Sequence, residues 1–239
     1  TPALGDIDGD GEAEIVTLFE VVRGGIPDDP PDDPPDDGGG GPSDDDHPVG
    51  PPPPTPPSEG LPCHVGALLV DGTVEWMSTE TIPCGGHAPA IADLEADGTV
   101  EVVVASMVFE GNTGMLRFSG SRGKGGYDAY PEIGFIPAIS DLDGDGIQEI
   151  VAGNTVYGPD GTEICSRADS ETDGFPAVAD LDGDGNGDVI VIGNSIATVM
   201  DHTCTPMDSW TLLGEGNGGP PTISDFDADG EPEIGGATA

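Results

Sequence analysis

One phrase occurs five times in this chain, and whatever fold the chain adopts must repeat with it. The copies read PALGDIDGDGEAEIV from Pro2, PAIADLEADGTVEVV from Pro89, PAISDLDGDGIQEIV from Pro137, PAVADLDGDGNGDVI from Pro176 and PTISDFDADGEPEIG from Pro221. Their first acidic residues, Asp6, Asp93, Asp141, Asp180 and Asp225, are separated by 87, 48, 39 and 45 residues. The long first interval contains residues 26–60, a Pro-, Asp- and Gly-rich tract with no periodic apolar position; without its 35 residues the interval is 52. Such a tract buries too little surface to offset the cost of ordering it. An extended, self-repelling excursion is expected there, either a plain spacer or an arm for a partner or for O-glycosylation at Ser43, Thr55 and Ser58.

The sequence around each phrase has the period of strands. A β-branched run such as Glu149-Ile150-Val151 follows the phrase and leads to two further short runs about a turn, as in residues 67–76 and 155–164. Forty glycines and 25 prolines among 239 residues exclude a helical bundle. Each unit therefore holds about four strands in 39 to 52 residues, the size of one β-propeller blade. The expectation is an all-β propeller region spanning residues 1–239, with four full blades and a half blade that stops at Ala239. A chain that begins at Thr1, with neither Met nor a leader, is expected to be a processed product or a fragment, with the missing strands elsewhere, the edges closed within the chain, or strands supplied by a neighbour.

Inside each phrase, acidic side chains fall at positions 1, 3, 5 and 9, and position 6 is glycine: Gly11, Gly98, Gly146, Gly185 and Gly230. The acidic sets are Asp6, Asp8, Asp10 and Glu14; Asp93, Glu95, Asp97 and Glu101; Asp141, Asp143, Asp145 and Glu149; Asp180, Asp182, Asp184 and Asp188; Asp225, Asp227, Asp229 and Glu233. Four carboxylates converging on one turn need a positive charge between them, and Ca2+ suits them because it takes 6 to 8 oxygens at about 2.3–2.6 Å in tolerant geometry. Up to five ions are expected, with the Glu95 loop the weakest or empty. An EF-hand needs a Glu at position 12, where this chain has Thr17, Val104, Ala152, Val191 and Gly236. A merely solvated acidic turn would not need the position-9 acid, which is present in every copy. Position 2, occupied by Ile7, Leu94, Leu142, Leu181 and Phe226, is apolar throughout and is expected to point inward.

These phrases resemble the FG-GAP and VCBS-type calcium-binding repeats of integrin-α-like propellers, over nearly the whole chain except residues 26–60. The resemblance implies closure with seven blades and an ion in a hairpin loop of each. It also implies one further ligand, the backbone carbonyl of position 7, here Glu12, Thr99, Ile147, Asn186 and Glu231.

Charge and cysteine content bound the function. Asp and Glu number 47 against five Lys and Arg, a formal charge of −42, so nucleic acid and anionic membranes are poor partners; no apolar run is long enough to span a bilayer. Four cysteines favour an oxidising, extracellular setting. Cys63 and Cys84 bracket one hairpin and are expected to pair, although with His64 and His87 they also offer a zinc-like set. Cys165 and Cys204 each lie 24 residues after their repeat's first Asp, which would give them equivalent places in adjacent units and leave their pairing open. Trp76 and Phe118, at matching positions, read as core, and Trp210 as exposed. Nucleophile-elbow, zinc-protease and phosphate-loop motifs are absent, so a non-enzymatic module is expected. The leading reading is a secreted or cell-surface adhesion or recognition module with a protein or glycan ligand on a surface or matrix. A self-associating filament subunit and a domain of a secreted polysaccharide-degrading enzyme are the alternatives.

Overall fold

The computed structural model describes residues 1–20, 62–126, 134–214 and 218–236, so the expected 26–60 excursion lies outside the described residues. Among the described residues, eighteen strands build five antiparallel sheets. Sheet one is β1 (Ala3–Gly5), β2 (Glu14–Glu20), β3 (Pro62–Leu68) and β4 (Val74–Pro83), and sheet two is β5 (Ala90–Ala92), β6 (Glu101–Val104), β7 (Met107–Glu110) and β8 (Leu116–Ser119). Sheet three is β9 (Ala138–Ser140), β10 (Glu149–Ala152), β11 (Thr155–Tyr157) and β12 (Glu163–Ser166). Sheet four is β13 (Phe175–Ala179), β14 (Asp188–Gly193), β15 (Ile196–Met200) and β16 (Pro206–Thr211), and sheet five is β17 (Thr222–Ser224) with β18 (Glu233–Gly235). In every sheet the strands lie side by side in sequence order, as short meanders.

The four-stranded unit and its two-stranded last copy are as the repeat implies, but the propeller expectation is overturned. The five sheets are separate, and none is closed or propeller-like. Consecutive sheets instead pack face to face in a sandwich-like manner, each pair enclosing its own core. Val16, Ala67 and Trp76 meet Val102, Val104 and Phe109 between sheets one and two. Val103 and Val108 meet Ile150 and Tyr157 between two and three, and Val151 and Val156 meet Val189 and Met200 between three and four. The alternate residues of β6 and β10 thus serve different cores, which is why these strands are buried on both faces and read as unbroken apolar runs. Among the described residues the core clusters run in this row, with none joining the first sheet to the last, as a seven-bladed ring or any other ring would require. Repeat length dictates the meander; packing of faces decides how meanders are arranged.

The hairpin joining the third and fourth strands of each full sheet repeats in detail. It turns on a glycine of positive φ in the first three sheets, Gly72 (87°), Gly114 (65°) and Gly161 (84°), and on Cys204 (60°) in the fourth. Three residues later a bulge leaves one fourth-strand residue without a cross-strand partner: Glu75, Arg117, Ile164 and Met207. From the second sheet onward, the turn also packs on the preceding sheet. A Cβ at Gly114 would overlap the Trp76 indole, and one at Gly161 would come within 2.7 Å of the Phe118 ring. At the next step the same contact is covalent, because Cys204 is bonded to Cys165, with Cα atoms 5.7 Å apart. The two cysteines therefore do not hold equivalent places, as counting from the first Asp suggests; Cys204 matches Gly161, and Cys165 matches Trp76 and Phe118.

Candidate metal loops

All five acidic phrases form the loop between the first two strands of their sheet, with position 9 as the first residue of β2, β6, β10, β14 and β18. The chain's own amides organise each loop. The position-6 glycine donates its N–H to the position-1 carboxylate at 2.8–3.0 Å in all five. Position 7 (Glu12, Thr99, Ile147, Asn186 or Glu231) donates to the position-5 carboxylate at 2.7–2.9 Å. One oxygen of the position-9 side chain accepts the amide of position 2 at 2.6–3.0 Å. Gly146 at φ 92° and its four equivalents supply the left-handed backbone that this wrapping needs. Position 2 points inward for Ile7, Leu94 and Leu142; Leu181 is half-buried, and Phe226 is exposed, contrary to expectation, because sheet five has no following sheet to cover it among the described residues.

Adjacent loops are also stitched together. Gln148 and Gly187, at position 8, donate their amides to the carbonyls of Leu94 and Leu142 in the preceding loop, both at 2.8 Å. Pro232 holds that position in the fifth loop and has no amide hydrogen to give.

Four of the five loops bring carboxylate oxygens within 4.8 Å of one another: Asp6, Asp8 and Asp10; Asp141, Asp143 and Glu149; Asp180, Asp182 and Asp188; Asp225, Asp227, Asp229 and Glu233. Asp145, Asp184 and Glu14 complete the predicted sets in sequence but stand outside these tightest groups. Burial pushes the carboxyls of Glu101, Glu149 and Asp188 up, as expected for position-9 acids at the sheet interface. Glu14 is 1 % exposed; its Oε2 accepts the Ile7 amide, whereas its Oε1 is buried without any partner. A buried carboxylate oxygen without a donor is costly, and a cation among Asp6, Asp8 and Asp10 would satisfy it. The all-oxygen donor set fits Ca2+.

The second loop is different. Its predicted residues Asp93, Glu95, Asp97 and Glu101 do not form such a cluster, because Arg117 lies among them. Its guanidinium holds both oxygens of Glu95 at 2.7 Å, Oε1 of Glu101 at 2.9 Å and Glu110 at 2.9 Å. The Glu101 oxygen it takes corresponds to the oxygen left bare on Glu14. The hydrogen bonds that Arg117 donates to Glu110 and Glu95 hold its pKa above its ordinary value.

Sequence reasoning missed a further acid at the first loop. Burial, and then the charges of Asp8, Glu14 and Asp10, raise the pKa of Glu75, which lies within hydrogen-bond reach of Asp8; its Oε2 is a second buried oxygen without a partner. Placing Trp76 opposite Phe118 sets Glu75 opposite Arg117, and that alignment was the available signal.

The zinc alternative does not stand. Cys63 is bonded to Cys84, and the buried His87 ring accepts the Phe135 amide at Nδ1 and donates from Nε2 to the Pro83 carbonyl. Trp76 is core, and Trp210 is 38 % exposed. Among the described residues no helix is long and apolar enough to cross a membrane.

No family model matches the chain, and no curated protein matches it. Among solved structures it is similar to the V. cholerae biofilm matrix protein Bap1, at 21% identity and a TM-score of 0.64, covering 95% of this chain and 30% of that one. It also matches Bacillus licheniformis rhamnogalacturonan lyase PL11 at 16% identity (TM-score 0.48, 99% and 54% of the two chains) and an Agrocybe aegerita lectin at 17% (0.41, 99% and 60%). The chain spans less than two thirds of each of these proteins. What the likeness to Bap1 shows is a shared all-β fold.

Proposed function

We propose that this is an extracellular, calcium-binding repeat domain of the FG-GAP and VCBS kind, in which Ca2+ holds the loops in place and the sheets serve adhesion or recognition. The observation that carries the reading is the bare, buried Oε1 of Glu14, an acid tied through Ile7 to the loop that gathers Asp6, Asp8 and Asp10. Side chains of positions 1, 3, 5 and 9 and the carbonyl of position 7 would hold the ion, which supplies the positive charge that lets the carboxylates approach. The residues' own part is to pre-shape the loop through the position-6 and position-7 amides.

The two disulfides support an oxidising, extracellular location. A fold shared with a biofilm matrix protein supports a matrix or cell-surface role, with a protein or glycan ligand, over catalysis. We read the chain as non-enzymatic, since the clustered carboxylates are those the loops use. Equilibrium dialysis against 45Ca2+ tests the reading: four tight equivalents are expected, and fewer than three overturns it.

A further inference from the structure

We propose that the bulged residue of each fourth strand sets the cation chemistry of its loop: Glu75 gives the first loop an additional carboxylate ligand, whereas Arg117 fills the second with a guanidinium in place of a metal ion. The inference rests on the calcium reading of the loops and goes further, by assigning each loop an individual character from residues outside the repeated phrase.

The bulge is the same backbone feature in all four full sheets, three residues after the turn glycine or Cys204, and in the first two sheets its residue meets the acids of the loop. Glu75 reaches Asp8, and Arg117 reaches Glu95 and Glu101. Ile164 shares a cavity of about 350 Å³ with Asp143 and Glu149, and Met207 lines a cleft with Leu181. An acid, a base, an aliphatic and a thioether thus occupy one structural position.

Two observations independent of acidic clustering give this arrangement its chemistry. In the first loop, Glu14 Oε1 and Glu75 Oε2 are both buried and unpartnered, and a cation between the two acids would satisfy both oxygens. In the second, the equivalent oxygen of the position-9 acid already has a cation: the Arg117 guanidinium at 2.9 Å. Its fork also takes both oxygens of Glu95. The longer Glu in place of Asp at position 3 is then a partner for arginine and not a defective calcium ligand. Ile164 and Met207 add no charge, leaving the third and fourth loops with their own ligands.

The test is calcium stoichiometry and affinity by isothermal titration on the intact chain. The wild type is expected to take up four ions, and the double variant R117M/E95D five. Glu75→Gln should keep four ions but weaken one of them about tenfold. The reciprocal swap, Glu75→Arg, should lower the count to three while raising the melting temperature in chelator, so the proposal stays testable even where R117M/E95D does not fold. Wild-type protein that binds fewer than three ions overturns the underlying reading. Wild-type protein that binds four ions, with the count unchanged in a folded R117M/E95D or in Glu75→Arg, overturns this inference alone, as does a wild-type count of five.

Discussion

The imidazole of His87 is fully buried, stacked on Phe135 with ring centroids 4.7 Å apart, and accepts one backbone hydrogen bond while donating another. That pattern requires the neutral ring, and burial holds its pKa below the ordinary value. An unfolded histidine titrates near pH 6.5, so the unfolded state gains a proton first on acidification. The contribution of His87 is therefore complete above about pH 6.5 and is lost as the pH falls below it. Melting temperatures between pH 7.5 and 5 should drop more in wild type than in His87→Gln. At the loops, Asp143→Ala removes a carboxylate from the third cluster. It should lower stability in calcium by up to about 2.7 kcal/mol for a site filled at a hundred times its dissociation constant, and little in chelator, as read by paired thermal melts. The acids at positions 1, 3, 5 and 9 were legible in sequence because the phrase recurs five times. Glu75 and Arg117 were not, since each occurs once and only the bulge brings it to its loop.

At the scale of elements, the turn between third and fourth strands is the joint between sheets. It packs a glycine on an aromatic twice and then replaces that contact with the Cys165–Cys204 bond. Opening a bridge across a separation of 39 residues should cost roughly 3–4 kcal/mol in a chain-entropy estimate, seen as a lower melting temperature in C165S/C204S. Giving this joint the form of the two before it, C165F/C204G, should recover part of that loss. A double variant no more stable than C165S/C204S would show that the aromatic contact does not substitute. The four-stranded meander was legible from strand-length apolar runs between Gly-rich turns. The pairing of Cys165 with Cys204 was not, because counting from the loop hides that one stands in a strand and the other in a turn.

Across the whole molecule, 47 acids face five bases, and much of that excess is gathered at the loops along one series of strand ends. Chelation should therefore lower the melting temperature of the chain as a unit, and added monovalent salt should restore part of it by screening the exposed carboxylates. A melting curve that is the same in calcium and in chelator would refute that coupling. The arrangement of sheets was the least legible level: the repeat specifies a meander, while the choice between a ring and a row of face-packed sheets lies in which faces meet, and no single repeat encodes that. Trp76 gives this level an optical consequence. Its indole is 8 % exposed and donates to the Gly111 carbonyl at 2.6 Å across the boundary of sheets one and two, whereas Trp210 lies on the open β16. With Trp210 changed to Phe, the remaining emission should be blue-shifted and should redden only when those two sheets part, so the protein carries its own light-readable gauge of whether its first joint is closed.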